Sequence, residues 1–318
     1  MNIKFWGVRG SIPTPTSPSR IKSKISAIVE QITPEDLESA ESRERFLSGL
    51  PPWLFGTVGG NSPCVSVTFD HNNDCIVFDC GSGLRELGIA QAALPSSGEK
   101  TKANHFHIFL SHFHWDHLQG LPFFGPAYNP AIALDFYSPV GNLEKTLSAQ
   151  MVHPYFPVTL EAMGSKKTYH YMENAVDISG RVVTAKKMNH PGGSHAYCVN
   201  EKGKRLIYST DTELQSGDFL KNDENTAFFQ DADMIIIDCQ YTLGEAIEKY
   251  NWGHSAFSLA VDFSANWNIK HMVMFHHDPT YDDQKLYGIL QSARWYLERM
   301  NLKGIEITLA YEGLEISI

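Results

Sequence analysis

The stretch Ser111-His112-Phe113-His114-Trp115-Asp116-His117 constrains this chain more than any other. Three imidazoles and one carboxylate fall within six positions, His112 to His117. They directly follow an apolar run, His105-Phe106-His107-Ile108-Phe109-Leu110, that reads as a buried strand. On an extended or loop backbone His112 and His114, two residues apart, reach one ion together. Asp116 and His117 come one turn later and can serve a neighbouring ion. Imidazole and carboxylate suit zinc, manganese or iron, and no thiolate is at hand for a softer metal. A His-rich surface loop is the bland alternative, but a strand before the motif and Gly120 after it argue for a working site.

His112-x-His114-x-Asp116-His117 resembles the signature of the metallo-β-lactamase fold superfamily. The resemblance implies an α/β fold, a four-layer αββα sandwich with a one- or two-metal site on one edge. It also implies a role for Asp79, which follows the apolar run Cys75–Phe78. There it would hydrogen-bond the metal-binding loop, since a ligating histidine needs a partner on its other nitrogen. A helix N-terminal acid is the structural alternative. A third histidine for the first metal is expected at a strand end, and His190 at the end of Arg181–Met188 is preferred over the nearby His195. Asp211, just past the strand Arg205–Ser209, occupies the place of a carboxylate that bridges both metals. The second metal takes Asp116, His117 and a histidine after the strand His271–Phe275. His276 is chosen because it continues the strand, although spacing alone does not separate it from His277.

Composition bounds the rest. The chain has 318 residues, 42% of them hydrophobic, within range for one large α/β sandwich. It is read as a single domain over 1–318 with a partly helical insertion at about 16–56. Within the insertion a helix is expected over roughly 34–48, with Thr33 as N-cap and Pro34 at the first position. The apolar cluster Pro51-Pro52-Trp53-Leu54-Phe55 either pins the insertion down or covers the site mouth. Further along, Cys64–Phe69 and Cys75–Asp79 read as strands joined by a turn at Asn72-Asn73-Asp74.

No apolar run is long enough to span a bilayer, so no membrane partner is expected. The N-terminus reads as a strand and not as a signal peptide. Five cysteines, Cys64, Cys75, Cys80, Cys198 and Cys239, form no CxxC pair. They are expected to be buried thiols in a reducing cytoplasm. The net charge of −10 argues against bulk nucleic acid as a partner. It leaves room for a small phosphorylated substrate, because metals supply local positive charge. Oligomeric state is left open.

The expected cofactors are two divalent metal ions, zinc first, with manganese or iron as alternatives. Such a pair would hold a bridging hydroxide and polarise a phosphoryl oxygen, so the reaction class is hydrolysis without a Ser or Cys nucleophile. Asp116 and His254 are the catalytic candidates. Gly253-His254-Ser255 resembles the His-Ser-Thr motif of the branch containing ribonuclease Z and the phosphonate-pathway cyclic phosphodiesterase, with Ala256 in place of Thr. In that branch the histidine sits beside the site and assists the phosphate. The expected substrate is therefore a small or cyclic phosphodiester. The alternatives are a glyoxalase II-like thioesterase, a ribonuclease Z-like RNA endonuclease and a non-catalytic metal-binding sensor.

Overall fold

A computed structural model of the chain describes residues 1–70, 73–94 and 102–318. The first half begins with β1 (Asn2–Gly7) and a helical excursion of α1 (Pro18–Val29), a 3-10 turn at Pro34–Leu37, α2 (Ala40–Gly49) and α3 (Pro52–Phe55). It continues with β2 (Cys64–Thr68), β3 (Asp74–Phe78), α4 (Gly83–Ala93), β4 (His105–Phe109), β5 (Ala133–Ser138), α5 (Leu143–Ala149) and β6 (Lys166–Tyr171). The second half carries β7 (Val176–Ile178), β8 (Arg181–Met188), β9 (Ser194–Glu201), β10 (Lys204–Ser209), α6 (Asp223–Phe229) and β11 (Met234–Asp238). It ends with α7 (Leu243–Glu248), α8 (Phe257–Asn266), β12 (His271–Phe275), α9 (Asp283–Arg299), β13 (Glu306–Leu309) and β14 (Glu315–Ser317).

These strands build two mixed seven-stranded sheets, ordered β14-β1-β2-β3-β4-β5-β6 and β13-β12-β11-β10-β9-β8-β7. Strand alternation explains how they stack. In β3, Ile76 and Phe78 join the core between the sheets, while Cys75 and Val77 face the layer of Leu84 and Leu87 on α4. Phe78 of the first sheet stacks on Tyr208 of the second, with ring centroids 4.8 Å apart. On the outer face of the second sheet α8 contributes Ala260 and Phe263, and α9 contributes Leu286 and Leu290. Helix, sheet, sheet and helix therefore lie in four layers.

Strand direction sets where the site forms. β3, β4, β5 and β6 are mutually parallel. β8, β10, β11 and β12 share one direction, with β9 antiparallel between β8 and β10. The segments after β3, β4, β8, β10, β11 and β12 gather at one edge, as they do in other sheets with parallel strands. Three residues there, Asp79, Asp211 and His276, hold left-handed φ values of 60°, 45° and 59°. Such conformations strain a non-glycine residue and cluster at working sites.

The insertion differs from the expected single helix over 34–48. Ser39 and Ser42 bond reciprocally, the Ser42 N–H reaching Ser39 Oγ at 3.0 Å and the Ser39 N–H reaching Ser42 Oγ at 2.9 Å. That cap starts a new helix at Ala40 and leaves Pro34–Leu37 as one 3-10 turn. α1, capped by Ser17 with Pro18 at its first position, was not expected. α3 packs against α9 with Leu54 buried, which gives Pro51–Phe55 the pinning role. β2 and β3 pair antiparallel, while Asn72 of the expected turn lies outside the described residues. All five cysteines are buried and free. Among the described residues no helix is long and apolar enough to cross a membrane.

Candidate metal centre

The loop after β4 delivers His112, His114, Asp116 and His117, and a 3-10 turn over Trp115–His117 swings the last two inward. His190 follows β8, Asp211 follows β10 and His276 follows β12. Two groups of donor atoms result. His112, His114, His190 and Asp211 form one, and Asp116, His117, Asp211 and His276 form the other.

Asp211 divides its two oxygens between them. Its Oδ2 lies 3.6 Å from His112 Nε2 and 3.7 Å from His190 Nε2. Its Oδ1 lies 3.2 Å from His117 Nε2 and 3.0 Å from His276 Nε2. Asp116 Oδ2 completes the second group at 3.1 Å from His117 Nε2 and 3.4 Å from His276 Nε2. His114 Nδ1 completes the first at 3.2 Å from His190 Nε2.

The far nitrogen of each buried ring is held in place. His117 Nδ1–H donates to Asp79 Oδ2 at 2.8 Å. His190 Nδ1–H donates to Gly253 O at 2.9 Å, and His276 Nδ1–H to Gln240 Oε1 at 2.9 Å. His112 Nδ1 sits 3.0 Å from Ser111 Oγ, which itself donates to Asp79 Oδ2 at 2.8 Å. Asp79 also accepts the Ser111 N–H and the Tyr208 hydroxyl, so one buried carboxylate fixes two rings and the loop between them. Outer partners of this kind set the tautomer and aim of ligating histidines.

The donor set fits divalent cations. His112 Nε2 and His117 Nε2 are buried with no hydrogen-bond partner, a costly state unless something else meets them. Tetrahedral Zn–N and Zn–O bonds of about 2.0–2.2 Å put neighbouring donors roughly 3.3–3.6 Å apart, close to the separations above. Burial alone would raise the Asp211 carboxyl, but the facing rings of His276, His117 and His112 hold it well below the usual carboxylate range. Asp116 is likewise held down by His117 and His276 against its burial. Both acids are therefore ionised, as ligation requires.

The family follows from the same region. A model of the beta-lactamase superfamily domain matches residues 75–277, a span that runs from β3 to just past β12. The chain belongs to the beta-lactamase superfamily. Ribonuclease Z of Picrophilus torridus is 25% identical to it over 283 residues, covering 72% of this chain and 84% of that protein. Two solved structures share the superfamily fold over nearly their whole length. A diphosphatase from the PhnP family aligns with a TM-score of 0.61 at 16% identity, over 100% of this chain and 97% of that one. Zn(2+)-bound PqqB from Methylobacterium extorquens aligns with a TM-score of 0.65 at 14% identity, over 100% of both.

In this superfamily member a cavity of about 410 Å³ opens on the donor groups, lined by Ser11, Phe113, His114, Trp115, Asp116, Asp211 and His254. His254 stands outside both groups. Its Nδ1–H donates to Asp238 Oδ2 at 2.6 Å, and its ring stacks on His276 with centroids 5.0 Å apart. Burial would lower the His254 pKa, but Asp238 outweighs it and raises the value to about 9. The segment lies just before α8 and not inside its first turn, since α8 begins at Phe257 with Ala256 as its cap residue. Ser255 anchors it by donating to Thr212 O at 2.6 Å and accepting the Leu214 N–H at 3.0 Å.

His277 and His195 take no part in the clusters. His277 Nε2–H donates to Ala310 O at 2.9 Å inside the core, and the His195 backbone N–H bonds to Ser111 O. Sequence reasoning missed three participants. Asp238 and Gln240 orient His254 and His276, and the Ser11 N–H donates to Asp116 Oδ2 at 2.9 Å. Asp238 ends its strand much as Asp79 and Asp211 follow theirs, which was the available signal. Ser11 acts through its backbone and left none.

Proposed function

We propose that the chain is a metal-dependent hydrolase acting on a small or cyclic phosphodiester. The observation that carries this reading is the Asp238–His254 pair, whose ring lines the cavity beside the two donor groups. His112, His114 and His190 would hold one metal and Asp116, His117 and His276 the other, with Asp211 between them. Zinc is proposed first on the nitrogen and oxygen donors, with manganese or iron as alternatives. Two bound divalent ions lower the pKa of coordinated water and offset phosphoryl charge.

The chain's own residues supply the remainder. Asp238 holds the His254 ring so that Nε2 is turned away from it. Hydrolysis forms a bond from water oxygen to phosphorus and breaks the bond to the leaving oxygen. His254 Nε2–H gives that oxygen its proton. Asp116, fixed by the Ser11 N–H, faces the cavity and keeps a carboxylate beside the attacked group. His254 also borders a second cavity of about 630 Å³ with Leu243, Ile247 and Tyr250.

The modest size of the metal-side cavity and the net charge of −10 favour a small diester over bulk nucleic acid, with no membrane partner. Five buried thiols accord with a reducing compartment such as the cytoplasm. A ribonuclease Z-like endonuclease is the second reading, favoured by the ribonuclease Z relative. Metal-loaded protein should be assayed on bis(p-nitrophenyl) phosphate, cyclic nucleotides, precursor tRNA and a thioester. Turnover of the small diesters above tRNA supports the proposal. Thioester turnover with none on any diester, or tRNA cleavage alone, would overturn it.

A further inference from the structure

At the opposite ends of the same strands lies a second constellation that the site above does not use. Asp74 opens β3, His105 opens β4, and His107 follows two residues later on the same face. Register places Asp74 beside His105 and His107 beside Asp135. We propose that Asp74, His105 and His107 form a separate structural site for a divalent transition-metal ion of the zinc class.

Geometry points to a ligand. Asp74 Oδ1 lies 3.8 Å from His105 Nδ1 and 3.9 Å from His107 Nε2. The three donor atoms lie within 4.8 Å of one another. A tetrahedral zinc ion spaces its donors roughly 3.3–3.6 Å apart, and Asp74 Oδ1 lies within a few tenths of an ångström of that spacing from each ring nitrogen. His107 is only 6% exposed, and its Nε2 is buried with no hydrogen-bond partner. That orphan nitrogen is the one aimed at Asp74.

Each ring is anchored at its other nitrogen. His105 Nε2–H donates to Asp135 Oδ2 at 2.8 Å, and His107 Nδ1 lies 3.1 Å from the Tyr137 hydroxyl. Carboxylate or hydroxyl support behind a ring whose second nitrogen faces a shared point is how proteins orient histidine ligands. The rings sit 4.0 Å apart between centroids, and His105 stays partly exposed, leaving an entry path. Asp74 Oδ2 accepts the Ser179 hydroxyl at 2.8 Å, from the turn between β7 and β8. A bound ion would thus couple β3 and β4 of the first sheet to the second sheet, at the edge away from the candidate catalytic centre.

The test counts zinc on metal-free full-length protein titrated with Zn2+ and dialysed. Wild type should hold one equivalent more than an Asp74→Asn, His105→Gln double variant, and the melting-temperature gain on Zn2+ addition should shrink in that variant. Both substitutions are at least partly solvent-accessible, and circular dichroism checks the fold. An Asp211→Asn, His112→Ala variant of the other site should keep the extra equivalent. Equal zinc content in wild type and the Asp74/His105 variant, or complete zinc loss in the Asp211/His112 variant, overturns the proposal.

Discussion

Asp79 accepts a 2.8 Å hydrogen bond from His117 Nδ1, and this contact ties the end of β3 to the metal-binding loop. The same carboxylate also takes the Ser111 N–H, the Ser111 hydroxyl and the Tyr208 hydroxyl. Asp79→Asn should lower metal affinity by about 10–100-fold, read by competition with a chelator. Asp79→Ala leaves several buried donors without an acceptor and should cost roughly 2–5 kcal/mol of stability in denaturant unfolding. Unchanged metal affinity in the Asn variant would show that Asp79 does not position the ligands.

Asp211 controls both donor groups through separate oxygens. Asp211→Asn puts an amide nitrogen where one carboxylate oxygen stood and removes the charge. Activity should fall by more than about 100-fold, beyond the usual loss for an outer partner, while far-UV dichroism stays native. Phosphodiester turnover close to wild type would mean that Asp211 serves only as a structural carboxylate.

For His254 the expected loss depends on the leaving group. Removing a general acid typically costs about 10²–10⁴-fold. His254→Ala should show such a loss on an alkyl or ribose ester and a much smaller one on a p-nitrophenyl ester, whose leaving group departs without a proton. An equal loss on both assigns His254 to phosphate binding instead.

The pH profile offers an independent check on the same ring. A general acid works while protonated, so activity on poor leaving groups should decline as pH rises through the His254 pKa. Burial lowers that pKa, and Asp238 raises it above the ordinary imidazole value. Asp238→Asn removes the largest raising influence and leaves the burial, so the alkaline limb should move to lower pH. A limb that stays in place separates Asp238 from the titration.

Much of this was legible because it is local. His112, His114, Asp116 and His117 lie within one loop, and His190, Asp211 and His276 come just past apolar runs whose ends the sequence marks. The four-layer fold follows from strand–helix alternation together with the superfamily signature. What could not be read is set by distant contacts. Ser11 meets Asp116 across 105 positions, and Ala310 O, rather than any local feature, draws His277 away from the site while His276 enters it. β6 was missed because Lys166–Tyr171 opens on an exposed lysine and carries Lys167 and His170 in half-buried positions, without the apolar alternation that marks a strand. His105 and His107 read as part of an apolar run, and only the register with Asp74 and Asp135 brings their partners beside them.

Gly253 links the His254 segment to the first donor group. It holds a left-handed φ of 87°, and a Cβ there would stand 2.2 Å from His190 Nδ1. Gly253→Ala should push His190 off its Gly253 O hydrogen bond and weaken metal binding by about 10–100-fold, with little change in the second group. Full metal content at limiting metal would show that the segment yields without moving His190.

The most direct test of the central claim is a crystal structure of metal-loaded protein with ions located by anomalous scattering. Two ions are predicted at this edge. One touches His112, His114, His190 and Asp211 Oδ2, and the other touches Asp116, His117, His276 and Asp211 Oδ1. A single ion at full loading, or two ions with Asp211 bound to only one of them, would contradict the account.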